Sequence, residues 1–439
     1  MTKRLKGLKF FVHTFGCQMN ENDSERIVGL LRKEGAELSR TPELCDFVII
    51  NTCAVREKSE EKLYSLLGRL AALKKEKGLL IGVAGCVAQL HKSRLIEKKP
   101  AIDFVIGPDN YQDIPHILSE SSPDKVVSTQ WNRRWQGVSP GDISRESSVS
   151  AYVTIMEGCN NFCSYCIVPF TRGREKFRPS SHILSEVEYL AERGYKEIQL
   201  LGQNVNSYRD PEKGIGFPEL LRTVHQVNGI EWIRFITSHP KNFGREIAAT
   251  MKDLEKVCRQ LHLPVQSGST PILEAMNRSY SSDEYLEKIA FLREMMPDIS
   301  LSTDVIVGFP GETEEDHQKT VDLLRQVRFT NIFSFRYSSR PLTAASKRNN
   351  DVPFEVKRKR LIEIQSIQKK IQLESNRAMI GQVIRILCLG RSKRDPHLYS
   401  GRNQGYQVVN FKSVADVIGR FVEVRILSCG PYSLIGETV

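Results

Sequence analysis

The sequence lacks a long apolar run, a dense set of cysteines and an excess of acidic residues. A membrane-spanning helix takes about 20 mostly apolar residues, and no such run exists, so we expect no membrane span. The ten cysteines are spread over 439 residues, which excludes a small disulfide-stapled scaffold. A basic start at residues 1–7 precedes a short apolar stretch broken by His13, without a small-residue cleavage site. We therefore expect a cytoplasmic protein with reduced thiols, in which clustered cysteines indicate metal binding or catalysis.

The composition is ordinary for a globular chain, but the positive charge is unevenly placed. Hydrophobic residues make up 40% and charged residues 26%, and the length predicts about three domains. The net charge is +11, and ten of these eleven charges lie after residue 339. The densest basic groups are residues 357–360 and, further on, Arg391, Lys393, Arg394 and Arg402. Such a footprint is typical of RNA phosphate contacts, with a solvated basic face as the alternative, and Tyr399 and Tyr406 would stack on unpaired bases.

The pattern of apolar residues predicts an α/β fold that begins with an N-terminal doubly wound parallel sheet domain over residues 1–125. Strand-like runs alternate with helical patterns, the strands at 9–15, 46–51, 79–84 and 103–106 and the helices at 23–34, 57–77 and 88–97. Alternation of this kind indicates βαβ units. A stretch rich in Ser, Gly, Pro and charge follows, and we expect a linker over residues 126–144.

A second alternating segment, residues 145–377, predicts a central βα barrel, complete or partial, with a second open sheet as the alternative. Its strand candidates are 151–156, 197–201, 232–237, 260–264, 300–307 and 331–335. A helix at 354–379 follows, with an apolar face formed by Val356, Leu361, Ile364, Ile367 and Ile371. Residues 378–439 hold short β-rich runs between glycine-containing turns, which predict a small C-terminal β-barrel of a kind that often binds nucleic acid.

Cys159, Cys163 and Cys166 form a tight C-x3-C-x2-C group directly after the first barrel strand. Three thiolates on one loop can hold three corners of a cubane iron–sulfur cluster and leave the fourth iron open to a substrate. A structural zinc site closes with four ligands, and no fourth Cys or His stands at the usual spacing. The group resembles that of the radical S-adenosylmethionine superfamily. The resemblance implies that the open iron chelates S-adenosylmethionine, which the cluster cleaves to a 5′-deoxyadenosyl radical.

Polar residues also stand near the expected carboxyl ends of later barrel strands, where they face the mouth of the barrel. We assign Gln203, Gln266 and Asp304 to contacts with the cofactor. Loop capping and turn chemistry form the alternative. Gly308 and Gly311 would let the backbone approach a ligand closely.

Cys17, Cys53 and Cys86 are far apart in sequence, but each directly follows a β run and precedes a helix. The carboxyl ends of parallel strands lie along one sheet edge, so the topology brings the three together. This placement permits a second three-thiolate cluster, which the positive ends of the helices would favour, with buried thiols as the alternative. We expect buried apolar thiols at the remaining positions, Cys45, Cys258, Cys388 and Cys429.

Together these features resemble the radical S-adenosylmethionine methylthiotransferases over nearly the whole chain, most closely the MiaB-type tRNA methylthiotransferases. The matching runs are Asn51-Thr52-Cys53-Ala54-Val55-Arg56, residues 158–166 with Thr171-Arg172-Gly173-Arg174-Glu175, residues 202–206, and Met276-Asn277-Arg278. The resemblance implies two 4Fe–4S clusters and a terminal RNA-binding TRAM module. It makes Cys17, Cys53 and Cys86 ligands of an auxiliary cluster, and Cys159, Cys163 and Cys166 the ligands of the radical cluster.

The resemblance also implies an activity, the methylthiolation of C2 of N6-isopentenyladenosine next to the anticodon in tRNA. One S-adenosylmethionine would methylate a sulfur held at the auxiliary cluster, and a second would supply the radical that removes hydrogen from C2. Arg172 and Arg174, close in sequence to the radical cluster, join the C-terminal basic residues as expected RNA contacts. The expected partners are the tRNA anticodon stem-loop and an electron donor protein such as flavodoxin or ferredoxin, and we expect a monomer.

Two alternatives stay open at this point. Relatives within the same family act on threonylcarbamoyladenosine in tRNA or on an aspartate of a ribosomal protein. A protein of another class, a non-enzymatic RNA-binding protein with zinc at the cysteine loop, would share the basic C-terminal quarter.

Overall fold

A computed structural model describes residues 5–55, 57–119, 125–132 and 134–439. The first four residues of the basic start, Arg56 of the Asn51 run, and residues 120–124 and 133 lie outside the described chain. The chain forms two compact units. The first consists of the described parts of Met1–Glu146, Met156–Asn160 and Cys166–Arg178; the second consists of Ser147–Ile155, Asn161–Tyr165 and Pro179–Val439.

The strands are numbered in chain order. They are β1 (Lys9–Phe15), β2 (Glu37–Leu38), β3 (Phe47–Thr52), β4 (Leu80–Ala84), β5 (Phe104–Ile106), β6 (Val126–Ser128), β7 (Ser150–Thr154), β8 (Met156–Glu157), β9 (Lys176–Phe177), β10 (Glu197–Leu201), β11 (Trp232–Phe235), β12 (Gln260–His262), β13 (Ser300–Val307), β14 (Asn331–Arg336), β15 (Val383–Arg391), β16 (Tyr399–Arg402), β17 (Val408–Lys412), β18 (Phe421–Cys429) and β19 (Leu434–Thr438).

The α-helices follow the same convention. They are α1 (Gln18–Lys33), α2 (Glu57–Lys77), α3 (Cys86–His91), α4 (Ser93–Lys98), α5 (Ile114–Ser119), α6 (Val168–Thr171), α7 (Ser180–Glu192), α8 (Phe217–His225), α9 (Arg245–Asp253), α10 (Thr270–Ala275), α11 (Ser282–Met295), α12 (Glu314–Val327) and α13 (Phe354–Arg377). Within the described ranges, none of these helices is long and apolar enough to cross a membrane.

The first unit is built on an open parallel sheet in the strand order β2-β1-β3-β4-β5-β6. Every residue of the central strand β3 is buried, as expected for a strand with helices on both faces. Val48 and Ile50 pack on one face with Leu63 and Leu67 of α2, whereas Phe47 and Ile49 pack on the other with residues of α1. The doubly wound sheet is therefore confirmed. The first residues of the expected linker form the edge strand β6, whose backbone pairs with β5, so these residues belong to the sheet.

The second unit contains a partial βα barrel of six parallel strands. They form two three-stranded sheets, β7-β10-β11 and β12-β13-β14, and the backbone bridge Ile233–Val257 lies where the first sheet meets the second. This confirms the partial barrel and the parallel order of the predicted strands. The carboxyl ends of these strands form the mouth at which a barrel of this class carries its site.

The C-terminal residues form a closed five-stranded barrel in the order β15-β16-β17-β19-β18. The β runs predicted at 383–389, 407–411 and 421–427 form β15, β17 and β18, and β16 and β19 complete the barrel. The barrel packs on the amino ends of the βα strands within the same unit, since the rings of Trp232 and Phe421 meet at 4.8 Å. Buried Arg234 pairs with Glu197 at 2.6 Å and donates to the carbonyl oxygens of Asn403 and Gln404, each at 2.7 Å.

The predicted long helix forms as α13, but its buried face differs from the apolar stripe. Ile364 and Ile371 are buried as expected, and Lys357 and Arg360 are buried with them. Arg360 donates to Glu312 at 2.8 Å, and Lys357 donates to Asp351 at 2.7 Å. Half of the basic run 357–360 is therefore buried and paired with carboxylates of the same unit, and it does not belong to an RNA-facing surface.

Candidate functional site

The three dispersed cysteines stand at the carboxyl edge of adjacent strands in the first unit. Cys17 follows β1 and begins α1, Cys53 follows β3, and Cys86 is the first residue of α3 after β4. Since β1, β3 and β4 are neighbours in the sheet, the topology places these thiols at adjacent strand ends. The Cys17 thiol donates to Asn20 Oδ1 at 3.5 Å, and the Cys53 sulfur accepts from the Val55 amide at 3.4 Å. In the described chain, no three Cys, His, Asp or Glu side chains form a ready-made single-ion site. The three buried or half-buried thiols at this edge are nevertheless the kind of donor that binds an iron–sulfur cluster.

A pair of buried asparagines holds the strand ends at this edge. Asn20 of α1 donates to the side chain of Asn51 at 3.2 Å, and Asn51 donates back to the Asn20 carbonyl oxygen at 2.9 Å. Gly85 precedes Cys86 with φ 88°, and a Cβ there would lie 2.3 Å from Asn51 Oδ1. Glycine is therefore required at this close approach, and the loops that carry the three cysteines are fixed to one another.

The pKa values of the three thiols at this edge are shifted in different directions. Interaction with Cys53 lowers the pKa of Cys17, and the same interaction together with burial raises the pKa of Cys53. Burial also raises the pKa of Cys86, against the opposing effect of the Arg172 guanidinium. A thiolate is the form that binds iron, so a nearby cation and hydrogen bonds favour the ligand state.

Arg172 is placed in the interior of the first unit and not on an RNA-facing surface. Its side chain is 3% exposed, its Nε lies 3.3 Å from the Cys86 Sγ, and a terminal nitrogen pairs with Asp23. Asp23 also accepts a hydrogen bond from the hydroxyl of Tyr111 at 3.1 Å. A guanidinium held in this way cannot reach a phosphate group, so we remove Arg172 from the expected RNA contacts.

Arg172 belongs to a basic loop, residues 172–178, and the other basic residues of this loop are mostly internal as well. Lys176 pairs with Asp109 and lies 3.7 Å from Glu157, and buried Arg178 lies 5.7 Å from the ring of Trp135. Arg174 is exposed. Sequence position alone does not separate the exposed from the internal residues of this loop, because carboxylates distant in sequence bind part of it.

The tight cysteine group lies on the loop between β8 and α6, and each unit fixes its own part of that loop. In the first unit, the Cys159 amide donates to the Gly173 carbonyl oxygen at 3.1 Å. A Cβ on Gly158, which has φ 81°, would lie 2.1 Å from the Arg174 carbonyl oxygen. The position before Cys159 therefore requires glycine.

In the second unit, the segment 275–278 holds the middle of the loop. Ser164 donates from its amide to Met276 O at 2.9 Å, and Asn277 donates from its side chain to Phe162 O at 2.9 Å. Buried Arg278 places Nη1 3.4 Å from Cys163 Sγ and donates from Nη2 to Pro264 O at 2.7 Å. The run Met276-Asn277-Arg278 carries part of the family resemblance, and these contacts give it a structural role.

The barrel mouth gathers buried polar atoms with unused hydrogen-bonding capacity. Among the described residues, no protein partner reaches Oε1 of Gln266, Nε2 of His239, Oγ of Ser238, or the side-chain amide of Asn206. All four residues follow the carboxyl ends of barrel strands. Because unsatisfied buried polar groups are costly, this set fits a polar ligand such as S-adenosylmethionine. Burial lowers the pKa of His239 to about 2, which keeps the ring neutral.

The three residues assigned to the cofactor occupy different places around the barrel. Gln203 follows β10 in the loop at the mouth, and Gln266 follows β12 with a left-handed φ of 74°. A non-glycine residue at such a φ is strained, which is common at ligand sites. Asp304 lies inside β13, three residues before its end, and its carboxylate is 3.5 Å from His262.

An apolar surface lies beside Asp304 on the inner face of the barrel strands. Phe333 and Phe335 of β14 are 45% and 40% exposed, and they stand opposite Asp304 and Ile306 of β13. The Phe333 ring lies 5.7 Å from that of His262. Arg336, on the opposite face of β14, lies 4.4 Å from the ring of Phe354 in α13, so the two phenylalanines point away from that helix.

Some basic residues of the C-terminal barrel are exposed in a turn, and others lie against tyrosine rings. Lys393 and Arg394 are exposed in the β15–β16 turn. Arg391 is also exposed and covers the ring of Tyr399 at 3.8 Å, and half-buried Arg402 covers Tyr406 at 3.9 Å.

The two tyrosines expected to stack on bases are engaged within the protein. Tyr399 is 2% exposed and stacks on Phe411 in the barrel core. The Tyr406 ring has two guanidinium groups near it, with the carbons of Arg234 and Arg402 at 5.0 and 3.9 Å from its centroid. The expectation that Tyr399 stacks on a base is therefore wrong, because its ring is buried, whereas base stacking by half-buried Tyr406 stays a prediction. Of the remaining cysteines, Cys45, Cys258 and Cys388 are buried and Cys429 is half-buried.

Three family descriptions match the chain. "Uncharacterized protein family UPF0004" matches residues 9–107, "Radical SAM superfamily" residues 153–324, and "TRAM domain" residues 377–439. A solved radical S-adenosylmethionine methyltransferase, TsrM from Kitasatospora setae, is similar with a TM-score of 0.56 at 14% identity, over 90% of this chain and 77% of that one. The cobalamin-dependent S-adenosylmethionine radical enzyme OxsB gives a TM-score of 0.53 at 14% identity, over 83% and 56%. At these identities the likeness concerns the fold.

The fold and the sequence matches define a radical S-adenosylmethionine protein with a UPF0004 domain before the barrel and a TRAM domain after it. Relatives named tRNA-2-methylthio-N(6)-dimethylallyladenosine synthase match over almost the whole length. Those of Syntrophus aciditrophicus and Thermodesulfovibrio yellowstonii are each 44% identical, over 99% of this chain and 95% and 100% of theirs. That of Acetivibrio thermocellus is 45% identical over 98% of this chain and 91% of its own. The chain belongs to this family of tRNA-2-methylthio-N(6)-dimethylallyladenosine synthases, which confirms the predicted family.

Proposed function

We propose that this protein methylthiolates C2 of N6-isopentenyladenosine next to the anticodon of tRNA, giving 2-methylthio-N6-isopentenyladenosine. The observation that carries the proposal is the near-full-length match to relatives bearing the name of that activity. The match includes all three parts of the chain, and the proposed domains are residues 1–125, 145–377 and 378–439, with a linker between the first two.

Cys159, Cys163 and Cys166 would hold the radical cluster, and Cys17, Cys53 and Cys86 the auxiliary cluster. When bound, the clusters and S-adenosylmethionine supply a radical that abstracts hydrogen and a sulfur that accepts a methyl group. Arg278 supports the Cys163 ligand with a charge-assisted hydrogen bond. Gln203, Gln266 and Asp304 orient S-adenosylmethionine, and the unused polar atoms of His239 and its neighbours supply further contacts.

The inner face of the barrel favours a base that carries an apolar substituent. Phe333 and Phe335 offer exposed aromatic surface beside Asp304, where a dimethylallyl group would be removed from water. A threonylcarbamoyl group carries a carboxylate, which these phenyl rings would leave without a partner. This observation favours the isopentenyl substrate over the threonylcarbamoyl and ribosomal-protein alternatives.

The RNA would contact the exposed basic residues. Exposed Arg391, Lys393 and Arg394 form this set on the TRAM barrel together with half-buried Arg402, and exposed Arg174 on the cysteine loop joins them. Exposed lysines and arginines bind phosphate groups and release counterions, so this contribution is sensitive to salt. We further propose a monomer in the cytoplasm that receives electrons from flavodoxin or ferredoxin.

Metal analysis of anaerobically reconstituted protein tests the cofactor part of the proposal. We expect about eight irons per chain, from two four-iron clusters, and cleavage of S-adenosylmethionine to deoxyadenosine. The triple variant C159A/C163A/C166A should keep about four irons and lose deoxyadenosine formation. Zinc in place of iron, without cleavage, would contradict the proposal and favour the zinc-bearing RNA-binding protein. Cleavage retained in the triple variant would contradict the assignment of the radical cluster to these three cysteines.

A further inference from the structure

Arg172 is a buried cation that contacts both a carboxylate and a thiol. Its side chain is 3% exposed, and that of Asp23 is 1% exposed. One terminal nitrogen pairs with Asp23, while Nε is directed at Cys86 Sγ, 3.3 Å away. A guanidinium can bind one carboxylate through two parallel hydrogen bonds, but here a single terminal nitrogen of Arg172 donates to Asp23.

The groups behind Arg172 fix this orientation. The hydroxyl of Tyr111 donates to Asp23 Oδ2 at 3.1 Å, and Arg26 lies 4.0 Å from Asp23 Oδ1. Tyr111 is itself buried in the core beside α1. The carboxylate is thus held from two sides, and the guanidinium cannot turn from the thiol without leaving a buried charge unpaired.

A buried ion pair does not by itself explain why the arginine contacts sulfur. Among the described atoms, Nη1 of Arg172 has no hydrogen-bond partner, so the site tolerates an unused donor while it keeps Nε on Cys86. Arginine keeps its charge at all relevant pH values, so the Cys86 sulfur always faces a cation. The chemistry that uses a permanent cation at a thiol is the binding of negative charge on that sulfur.

We propose that Arg172 is a positioning residue for the auxiliary cluster, where it stabilises the negative charge that the Cys86 thiolate brings to bound iron and sulfide. Asp23 and Tyr111 orient it. The inference rests on the proposed function, because it needs a cluster on Cys17, Cys53 and Cys86. Hydrogen bonds to the ligand sulfurs are among the factors that set the reduction potential of iron–sulfur clusters, and loss of such supporting contacts typically lowers metal affinity about 10- to 100-fold.

The test uses the full chain with C159A/C163A/C166A, so that iron reports the auxiliary cluster alone. R172Q is introduced in this background, and R172K retains the charge without the planar donor set. The readouts are the midpoint potential from a redox titration followed by EPR and the rate of iron loss to a chelator. We expect R172Q to shift the potential to more negative values and to lose iron about 10- to 100-fold faster, with R172K in between.

Two further variants keep the test decisive. Y111F removes the hydroxyl that orients Asp23 and leaves every charge in place, and we expect a smaller shift in the same direction. R178Q changes another buried arginine of the same loop, which lies 5.7 Å from the Trp135 ring, and should leave the potential unchanged. Should R172Q fail to fold, Y111F and R172K carry the comparison.

The outcomes separate this inference from the proposed function. If the triple-cysteine background binds no iron while the unaltered chain binds about four, the auxiliary cluster itself is absent and the proposed function fails. If the background binds iron, but R172Q, R172K and Y111F match it in potential and iron loss, the proposed role of Arg172 alone is overturned.

Discussion

Arg278 places its Nη1 3.4 Å from the Sγ of Cys163, the middle cysteine of the tight group. The remaining donors of Arg278 bind the hydroxyl of Tyr280 and the carbonyl oxygen of Pro264, each at 2.7 Å. The arrangement has a counterpart in the first unit, where Arg172 lies 3.3 Å from Cys86. Each set of three cysteines thus includes one thiol that faces a buried arginine.

The Arg278 contact predicts that R278Q weakens the radical cluster. The variant removes a charge-assisted hydrogen bond to a ligand sulfur, so iron affinity at this cluster should fall about 10- to 100-fold. Iron content after limited reconstitution should drop from about eight toward four per chain, and deoxyadenosine formation should fall with it. The control is R259Q, which alters the exposed Arg259–Asp298 pair. Equal iron content in R278Q and R259Q would contradict this role.

The aromatic surface of β14 predicts a loss of substrate affinity in F333A/F335A. Burial of an apolar side chain against its ligand contributes about 1.5–3 kcal/mol, so KM for isopentenyl-bearing tRNA should rise at least tenfold. Steady-state kinetics with that tRNA gives the measurement. The control is F354A. Phe354 belongs to α13 and contacts Arg336 on the opposite face of β14, so its removal should leave KM unchanged. A similar KM in F333A/F335A and in the unaltered protein would remove these rings from the substrate site.

The Arg234–Glu197 pair predicts that R234M destabilises the second unit. Both side chains are buried, at 0% and 1% exposure, and the variant leaves the Glu197 charge without its partner. Breaking such a pair costs about 3–5 kcal/mol in the free energy of unfolding. The matched control is R385M, because the Arg385–Glu231 pair is 48% and 41% exposed and should contribute about 1 kcal/mol or less. Urea denaturation compares the two, and equal losses would contradict the assignment.

The exposed turn between β15 and β16 predicts a salt-dependent loss of tRNA binding in K393Q/R394Q. Each lost phosphate contact should reduce the slope of log affinity against log salt by about 1. Binding measured at several salt concentrations gives this slope. R222Q/K252Q removes two exposed charges from α8 and α9 and provides the control. If both double variants keep the original slope, the turn does not contact RNA.

Glu25 predicts a pH-dependent stability difference in the first unit. Burial raises its pKa to about 7, above the ordinary value of 4.5. The folded chain therefore holds this proton more tightly than the unfolded chain, and stability falls as pH rises from about 4.5 to about 7. E25Q removes this loss, so its melting temperature relative to the unaltered protein should be higher at pH 8 than at pH 5. E37Q, at an exposed position in β2, should show no such trend.

The two cysteine sets could be predicted from the sequence, because their placement follows from the order of strands and helices along the chain. Strand–cysteine–helix repeats place Cys17, Cys53 and Cys86 on one sheet edge once the sheet is parallel. The basic loop was less predictable, because the partner of Arg172 is Asp23, 149 residues away, and nothing in the local pattern distinguishes a buried arginine from an exposed one. Lys357 and Arg360 differ from expectation for the same reason.

The TRAM barrel gives a second example of this limit. Its β runs and basic character are evident in the local sequence, whereas the burial of Tyr399 follows from strand closure and its contact with Phe411. The role of Arg278 also needed the fold, since the Cys163 contact joins positions 115 residues apart. Local patterns predicted which elements form, and the pairing of charged side chains between them required three-dimensional packing.

Mass spectrometry of nucleosides tests the central claim most directly. The reconstituted chain is incubated with S-adenosylmethionine, a reductant and tRNA that carries N6-isopentenyladenosine, and the digested nucleosides are identified. The account predicts 2-methylthio-N6-isopentenyladenosine with the unaltered chain and none with C17A/C53A/C86A. Deoxyadenosine formation with unchanged N6-isopentenyladenosine, or methylthiolation that persists in the triple variant, would contradict it.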